Sequence, residues 1–127
     1  MMHFKLIYIS PNGTTKITSE ILKKAIEKDG HSLELLDLGQ GANRENFQII
    51  LKAINKGDIV GFGSPVYHMD MLEPMKGFFE TMKSTGEVYS FKAFLYLNYA
   101  GITSGKAFIN IAKFKKNIFS NFRLFSF

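Results

Sequence analysis

Ser10-Pro11-Asn12-Gly13-Thr14-Thr15 is the stretch from which the rest of the chain is read. It follows His3–Ile9, an apolar run rich in the β-branched and aromatic residues that strands prefer. After it, Ile17, Ile21, Leu22, Ala25 and Ile26 recur at helical spacing. A strand, a short polar loop and a helix start, in that order, make an anion site. The first N–H groups of the helix have no helical acceptor, and the helix dipole favours negative charge there. Gly13 has no Cβ and tolerates positive φ, so the backbone can close around a phosphate. Ser10, Asn12, Thr14 and Thr15 add side-chain donors. Serine, threonine and asparagine are also ordinary N-caps. The loop therefore reads as a grip for the phosphate of a bound cofactor or as a capped βα turn. Polar or glycine residues at five of its six positions exceed what a cap requires.

At 127 residues the chain is expected to form one domain with a sizeable core. Its 46% hydrophobic and 21% charged residues are those of a soluble globular protein. No apolar run reaches the roughly 20 residues that span a bilayer, and the N-terminus lacks the layout of a signal peptide. With no cysteine, thiolate catalysis, disulfides and cysteine-held metal clusters are excluded. A cytoplasmic protein is the expectation. Of the net charge of +5, three cations without any acid lie in residues 114–127 (Lys115, Lys116 and Arg123), which leaves +2 on residues 1–113. The remaining lysines are scattered, with no basic stripe of the kind that tracks nucleic acid.

Taken in order, the first helix runs from Thr14 to Lys28 and stops at Asp29-Gly30, with glycine where a C-cap belongs. His31–Leu38 is the second strand, and Phe47, Ile50, Leu51 and Ile54 mark a second amphipathic helix. Ile59–Gly63 is a third, buried strand, followed by a loop over Ser64–Asp70. Pro74 suits the start of a third helix with Met75, Phe78, Phe79 and Met82 inward. Phe91–Leu97 is a fourth strand, Asn98–Gly101 the loop after it, and Ala107, Phe108, Ile111 and Ala112 the stripe of a fourth helix. This alternation implies right-handed βαβ units and a parallel sheet covered on both faces. Ligands of such sheets bind beyond the carboxyl ends of the strands, where strand order reverses. The loops after the first, third and fourth strands all lie at that edge. One can hold a phosphate, and the other two can sandwich something flat.

Here the residues resemble flavodoxin-like proteins, whose FMN sits at the switch point of the sheet. Ser10–Lys16 looks like the family's phosphate loop, with Asn12 in place of its usual threonine. Asp58–Tyr67 looks like its third-strand signature and flavin-edge loop, and Asn98–Gly101 sits where the third flavin loop belongs. The resemblance covers residues 3–113 and is nearest to the domains that anaerobes often fuse to a ferredoxin-type iron–sulfur domain. It implies a three-layer α/β/α doubly wound fold with strand order 2-1-3-4-5. It implies FMN as cofactor, its phosphate held by Ser10, Asn12, Gly13, Thr14 and Thr15 and its ring by Pro65, Val66, Tyr67, His68, Asn98, Tyr99, Ala100 and Gly101. The partner implied is a redox protein of ferredoxin or reductase type, with the flavin carrying the electrons.

Two features depart from the family. Soluble carriers of this type are usually acidic, and this chain is not. Residues 114–127, an atypical tail holding 5 of the 13 phenylalanines, can supply a fifth strand but leave nothing for a closing helix. The open edge that results calls for a second subunit, or marks a truncated product. Three functions follow in order: an FMN electron carrier, an NAD(P)H-dependent flavin or quinone reductase on the same fold, and a cofactor-free fragment. Tyr67 and Tyr99 could stack on the ring or simply pack on the core. His68 could tune the flavin or face solvent. His3 and His31 lack partners at ligand spacing, so no metal site is expected, and no catalytic acid, base or nucleophile stands out.

Overall fold

A computed structural model describes residues 1–11, 13–41, 43, 46–55, 57–67, 70–71, 73–85, 89–98 and 119–126, with the backbone alone at 66–67, 70–71, 89–91, 97–98 and 119–126. The elements in chain order are β1 (His3–Tyr8), α1 (Thr14–Lys28), β2 (Ser32–Asp37), α2 (Gln48–Ala53), β3 (Ile59–Tyr67), β4 (Asp70–Met71), α3 (Glu73–Ser84), β5 (Tyr89–Asn98) and β6 (Phe119–Ser126). The sheet order is β2-β1-β3-β5-β6, all parallel, with β4 pairing antiparallel to the end of β3. Strand order reverses at β1: β2 lies on one side of it, and β3, β5 and β6 follow on the other, so the switch point lies between β1 and β3. The phenylalanine-rich tail does supply a fifth parallel strand, β6, paired in register with β5 from Lys92↔Asn121 to Leu97↔Ser126. The expected fourth helix, at Ala107–Ala112, lies outside the described residues.

The two faces of the sheet are packed differently. On one, Ile7, Val60, Phe62, Ala93 and Leu95 meet α2 and α3. The inward stripe of α3, Met75, Phe78, Phe79 and Met82, is wholly buried. Phe62 is its anchor, with ring centroids 4.9 Å from Phe79 and 6.1 Å from Phe78, and Phe47 meets Phe78 edge-on at 5.7 Å. Each such aromatic contributes roughly 1.5–3 kcal/mol by leaving water. On the other face, Leu6, Leu33 and Tyr96 pack with Phe4, Leu22, Ile26, Leu35 and Phe94 beneath α1.

Helical spacing would turn the apolar residues of α1 toward the sheet, but the structure seats the helix on a different stripe. Ile17 and Ile21 point outward, 59% and 62% exposed, and Ala25 is also exposed. The stripe against the sheet is Thr15, Ser19, Leu22 and Ile26, spaced i, i+4, i+7, i+11. Two small polar residues lead it because large aromatic rings from β5 already occupy the space below. β3 makes room for those rings. Gly61 and Gly63 face α1, and a Cβ at either would collide with Phe94 or Tyr96 respectively. A second correction concerns Ser64, Pro65, Val66 and Tyr67, which the sequence places in the Ser64–Asp70 loop. The strand continues through them, because Val66 and Tyr67 pair with Met71 and Asp70.

Candidate functional site

The Ser10–Thr15 segment leaves β1 at the switch point and enters α1. Gly13 is the N-cap in the left-handed region, at φ 85° and ψ −14°, where an L side chain is strained. It supplies no side-chain cap, and Ser10 substitutes: its Oγ accepts the Lys16 N–H at 2.9 Å. Gly13 N–H turns back to the Ser10 carbonyl at 3.4 Å, and the Gly13 carbonyl accepts the first helical bond, from Ile17 N–H, at 3.0 Å. The N–H groups of Thr14 and Thr15 thus stand in the first turn, where a helix offers no acceptor. The Ser10 hydroxyl proton is not needed for its cap, because Oγ serves there as acceptor. No acidic residue lies in the first turn, so nothing opposes the positive end of the dipole.

Thr15 is the most informative residue. It is 1% exposed, and its hydroxyl is buried with no hydrogen-bond partner among the described residues. A buried hydroxyl left unpaired costs about 1–3 kcal/mol, so proteins seldom keep one without use. Ordinary capping does not account for it, since Ser10 does the capping.

Beside this turn, Ile9 N–H donates to the Gly63 carbonyl at 3.0 Å, fixing β1 against β3 just before the loop opens. Ser64 and Pro65 are buried at the end of β3, with Ser64 Oγ donating to the Pro65 carbonyl at 2.9 Å. Pro65 is the register partner of Asn98, the last residue of β5, so the carboxyl ends of β3 and β5 lie side by side. The backbone of Val66 and Tyr67 runs on from Pro65. Asn12, His68, Tyr99, Ala100 and Gly101 lie outside the described residues. Among the sequence-derived candidates, Ser10, Gly13, Thr14 and Thr15 form one cluster, and Pro65 and Asn98 begin another at the same edge.

Under α1 lies a polar row with no counterpart in the sequence reading. Asp37, Tyr8, Gly63 and Tyr96 are successive register partners across β2, β1, β3 and β5. Tyr96 OH meets Ser19 Oγ at 2.6 Å, and Ser19 Oγ donates to the Thr15 carbonyl at 2.7 Å. Burial pushes the Tyr96 hydroxyl above its usual pKa, against the lowering effect of the Ser19 bond, with a smaller upward push from Tyr8. Burial also raises Tyr8, helped by the charges of Asp37 and Glu20. The available signal was glycine at period two in the third strand, Gly61 and Gly63, beside aromatics at period two in the next, Phe94 and Tyr96. Among the described residues no cluster of metal-ligating side chains occurs, and no helix is long and apolar enough to cross a membrane.

No protein-family model matches the sequence, and no curated protein is similar to it in sequence. Solved structures are similar in fold. A flavodoxin from the domain Archaea aligns with a TM-score of 0.71 at 17% identity, over 99% of this chain and 84% of its own. The flavodiiron protein from Giardia intestinalis gives a TM-score of 0.71 at 16% identity, covering 98% of this chain but 31% of that larger one. A flavone reductase gives 0.73 at 8% identity, over 98% of this chain and 54% of its own. With the parallel order β2-β1-β3-β5-β6, helices on both faces and the polar loop at the switch point, the chain has the flavodoxin-like fold.

Proposed function

We propose that this chain binds FMN, with the phosphate on the Ser10–Thr15 turn, and works as an electron carrier. The observation that carries the reading is the buried, unpartnered Thr15 hydroxyl at the start of α1, beside N–H groups without helical acceptors. A phosphate would satisfy all of them together. The donor set suits a dianion: hydroxyls of Ser10, Thr14 and Thr15, the amide of Asn12, and backbone N–H groups opened by the positive φ of Gly13. Pro65, Val66 and Tyr67 from the end of β3 with His68 after it, and Asn98 from the end of β5 with Tyr99, Ala100 and Gly101 after it, would flank the ring. A bound flavin supplies the redox chemistry, accepting and releasing electrons. The chain's own residues hold the phosphate, orient the ring and exclude water from one side of it.

The partner on this reading is a redox protein of ferredoxin or reductase type, in the cytoplasm. A second copy pairing along the edge strand β6 would appear as a homodimer in gel filtration. The fold likeness to a flavone reductase supports a second reading, in which NAD(P)H reduces the flavin directly. The first test is the visible absorption spectrum of the purified protein before and after FMN is added and the excess removed. A retained flavin band, weakened by competing phosphate, is the expected result. A folded but colourless protein would overturn the reading and leave a flavodoxin-like fold without cofactor. Rapid flavin reduction by NAD(P)H alone would replace the carrier with the reductase.

A further inference from the structure

The rings of Phe94 and Tyr96 cross β3 in the same way. Each lies over a glycine of that strand, Phe94 over Gly61 and Tyr96 over Gly63, with centroids 6.0 Å apart on the α1 face. At the lower crossing a phenylalanine fills the space. At the upper one, next to the switch point, the ring carries a hydroxyl, and the hydroxyl is used. It lies 2.6 Å from Ser19 Oγ, with both residues fully buried. The single Ser19 hydroxyl proton goes to the Thr15 carbonyl at 2.7 Å, so Tyr96 is the donor to Ser19. The bonds run in one direction, from β5 through Ser19 to the backbone of Thr15. Thr15 is also the residue whose own hydroxyl has no partner.

We propose that Tyr96 is a positioning residue for the phosphate turn: through Ser19 it fixes the height and rotation of the first turn of α1 over β3, and so sets the preference for a phosphorylated flavin. This rests on the phosphate reading of the Ser10–Thr15 turn. Packing alone does not require the hydroxyl, as Phe94 shows one row away. Burial strengthens the arrangement, because an O–H held away from water gains more from its bond than an exposed one. The geometry needs Gly63, since any side chain there would displace the ring.

The test is Tyr96→Phe in the full chain, which keeps the ring and leaves Ser19 bonded to Thr15. Dissociation constants for FMN and for riboflavin, which lacks the phosphate, are measured by flavin fluorescence. FMN binding is expected to weaken about three- to tenfold, the worth of one hydrogen bond, with riboflavin changed by less than about twofold. Ser19→Ala should act in the same direction, and the double variant should lose no more than the worse single one, because the two groups act in series. An equal loss for both ligands, or an unchanged FMN-to-riboflavin ratio, would overturn the proposal and leave Tyr96 as packing only. A parent protein that does not prefer FMN would instead overturn the phosphate reading. Positioning is then decided by amide hydrogen exchange in Tyr96→Phe. Faster exchange at Lys16 and Ile17 than at the C-terminal turn of α1 supports it, and a uniform change along the helix overturns it.

Discussion

Replacing Thr15 by valine should move stability and FMN binding in opposite directions. Valine keeps the β-branched shape and has nearly the same helix propensity as threonine, so the change removes little except the hydroxyl. That hydroxyl is buried and unpartnered, in a residue 1% exposed. Unfolding returns it to water, and folding strips it again at a cost of about 1–3 kcal/mol. Without flavin, Thr15→Val should therefore gain about 1 kcal/mol, near the low end because neighbours relax around the methyl. For a domain of this size that is a rise of about 4 °C in Tm. With FMN, the variant loses a hydrogen bond to a charged phosphate, worth about 1.5–3 kcal/mol, so Kd should rise about 10- to 150-fold. Urea unfolding of the flavin-free protein and fluorescence titration with FMN measure the two effects separately. Thr15→Ser, which keeps the hydroxyl, should bind FMN nearly as the parent does. A valine variant less stable than the parent by about 1 kcal/mol or more would show that the hydroxyl is already satisfied. FMN affinity within about twofold of the parent would remove Thr15 from the phosphate site.

Gly13→Val places a β-branched residue at φ 85°, where open space around the Cβ offers no relief because the strain is in the backbone. Urea unfolding should show a loss of about 1–2 kcal/mol, and FMN titration a loss of at least about tenfold as the side chain blocks the anion. Gly63→Ala drives a methyl into the Tyr96 ring and should cost about 1–3 kcal/mol. Adding Tyr96→Val should recover part of that loss, and the non-additivity of the pair in denaturant melts checks the contact. Raising the pH should destabilise the fold above the usual tyrosine pKa of 10.0, because buried Tyr8 and Tyr96 hold their protons while the unfolded chain releases them. Below 10.0 these groups add no slope. Above it, each contributes up to about 1.4 kcal/mol per pH unit until its folded pKa is reached. Tyr96→Phe should flatten that slope in melts recorded from pH 9 to 12.

The strand and helix periods carried most of the fold. Leu6 and Ile7 in a short apolar run, and Met75, Phe78, Phe79 and Met82 at helical spacing, are all buried where the pattern put them. The pattern misled at α1, where Ile17 and Ile21 share helical spacing with Leu22 and Ile26 but face solvent. Periodicity ranks faces by hydrophobicity and takes no account of the space beneath them. The rings of Phe94 and Tyr96 already fill that space, so small polar residues seat the helix. Strand three was read too short for a related reason. Ser64-Pro65 carries turn chemistry locally, and the pairing of Val66 and Tyr67 with Met71 and Asp70 that keeps the strand going is a cross-strand effect.

By itself, then, the sequence determined the alternation of strands and helices, the parallel sheet that follows from it, and the polar Ser10–Thr15 loop at the switch point. Those depend on local periodicity, turn chemistry and connection handedness, all written along the chain. Tertiary structure decided which face of α1 is buried, that the Ser10 side chain supplies the cap behind Gly13, and that the Thr15 hydroxyl has no partner among the described residues. It also decided that Tyr96, 77 residues from Ser19 along the chain, reaches under the helix through the gap left by Gly63. Each of these turns on how much room remains when two distant elements pack together.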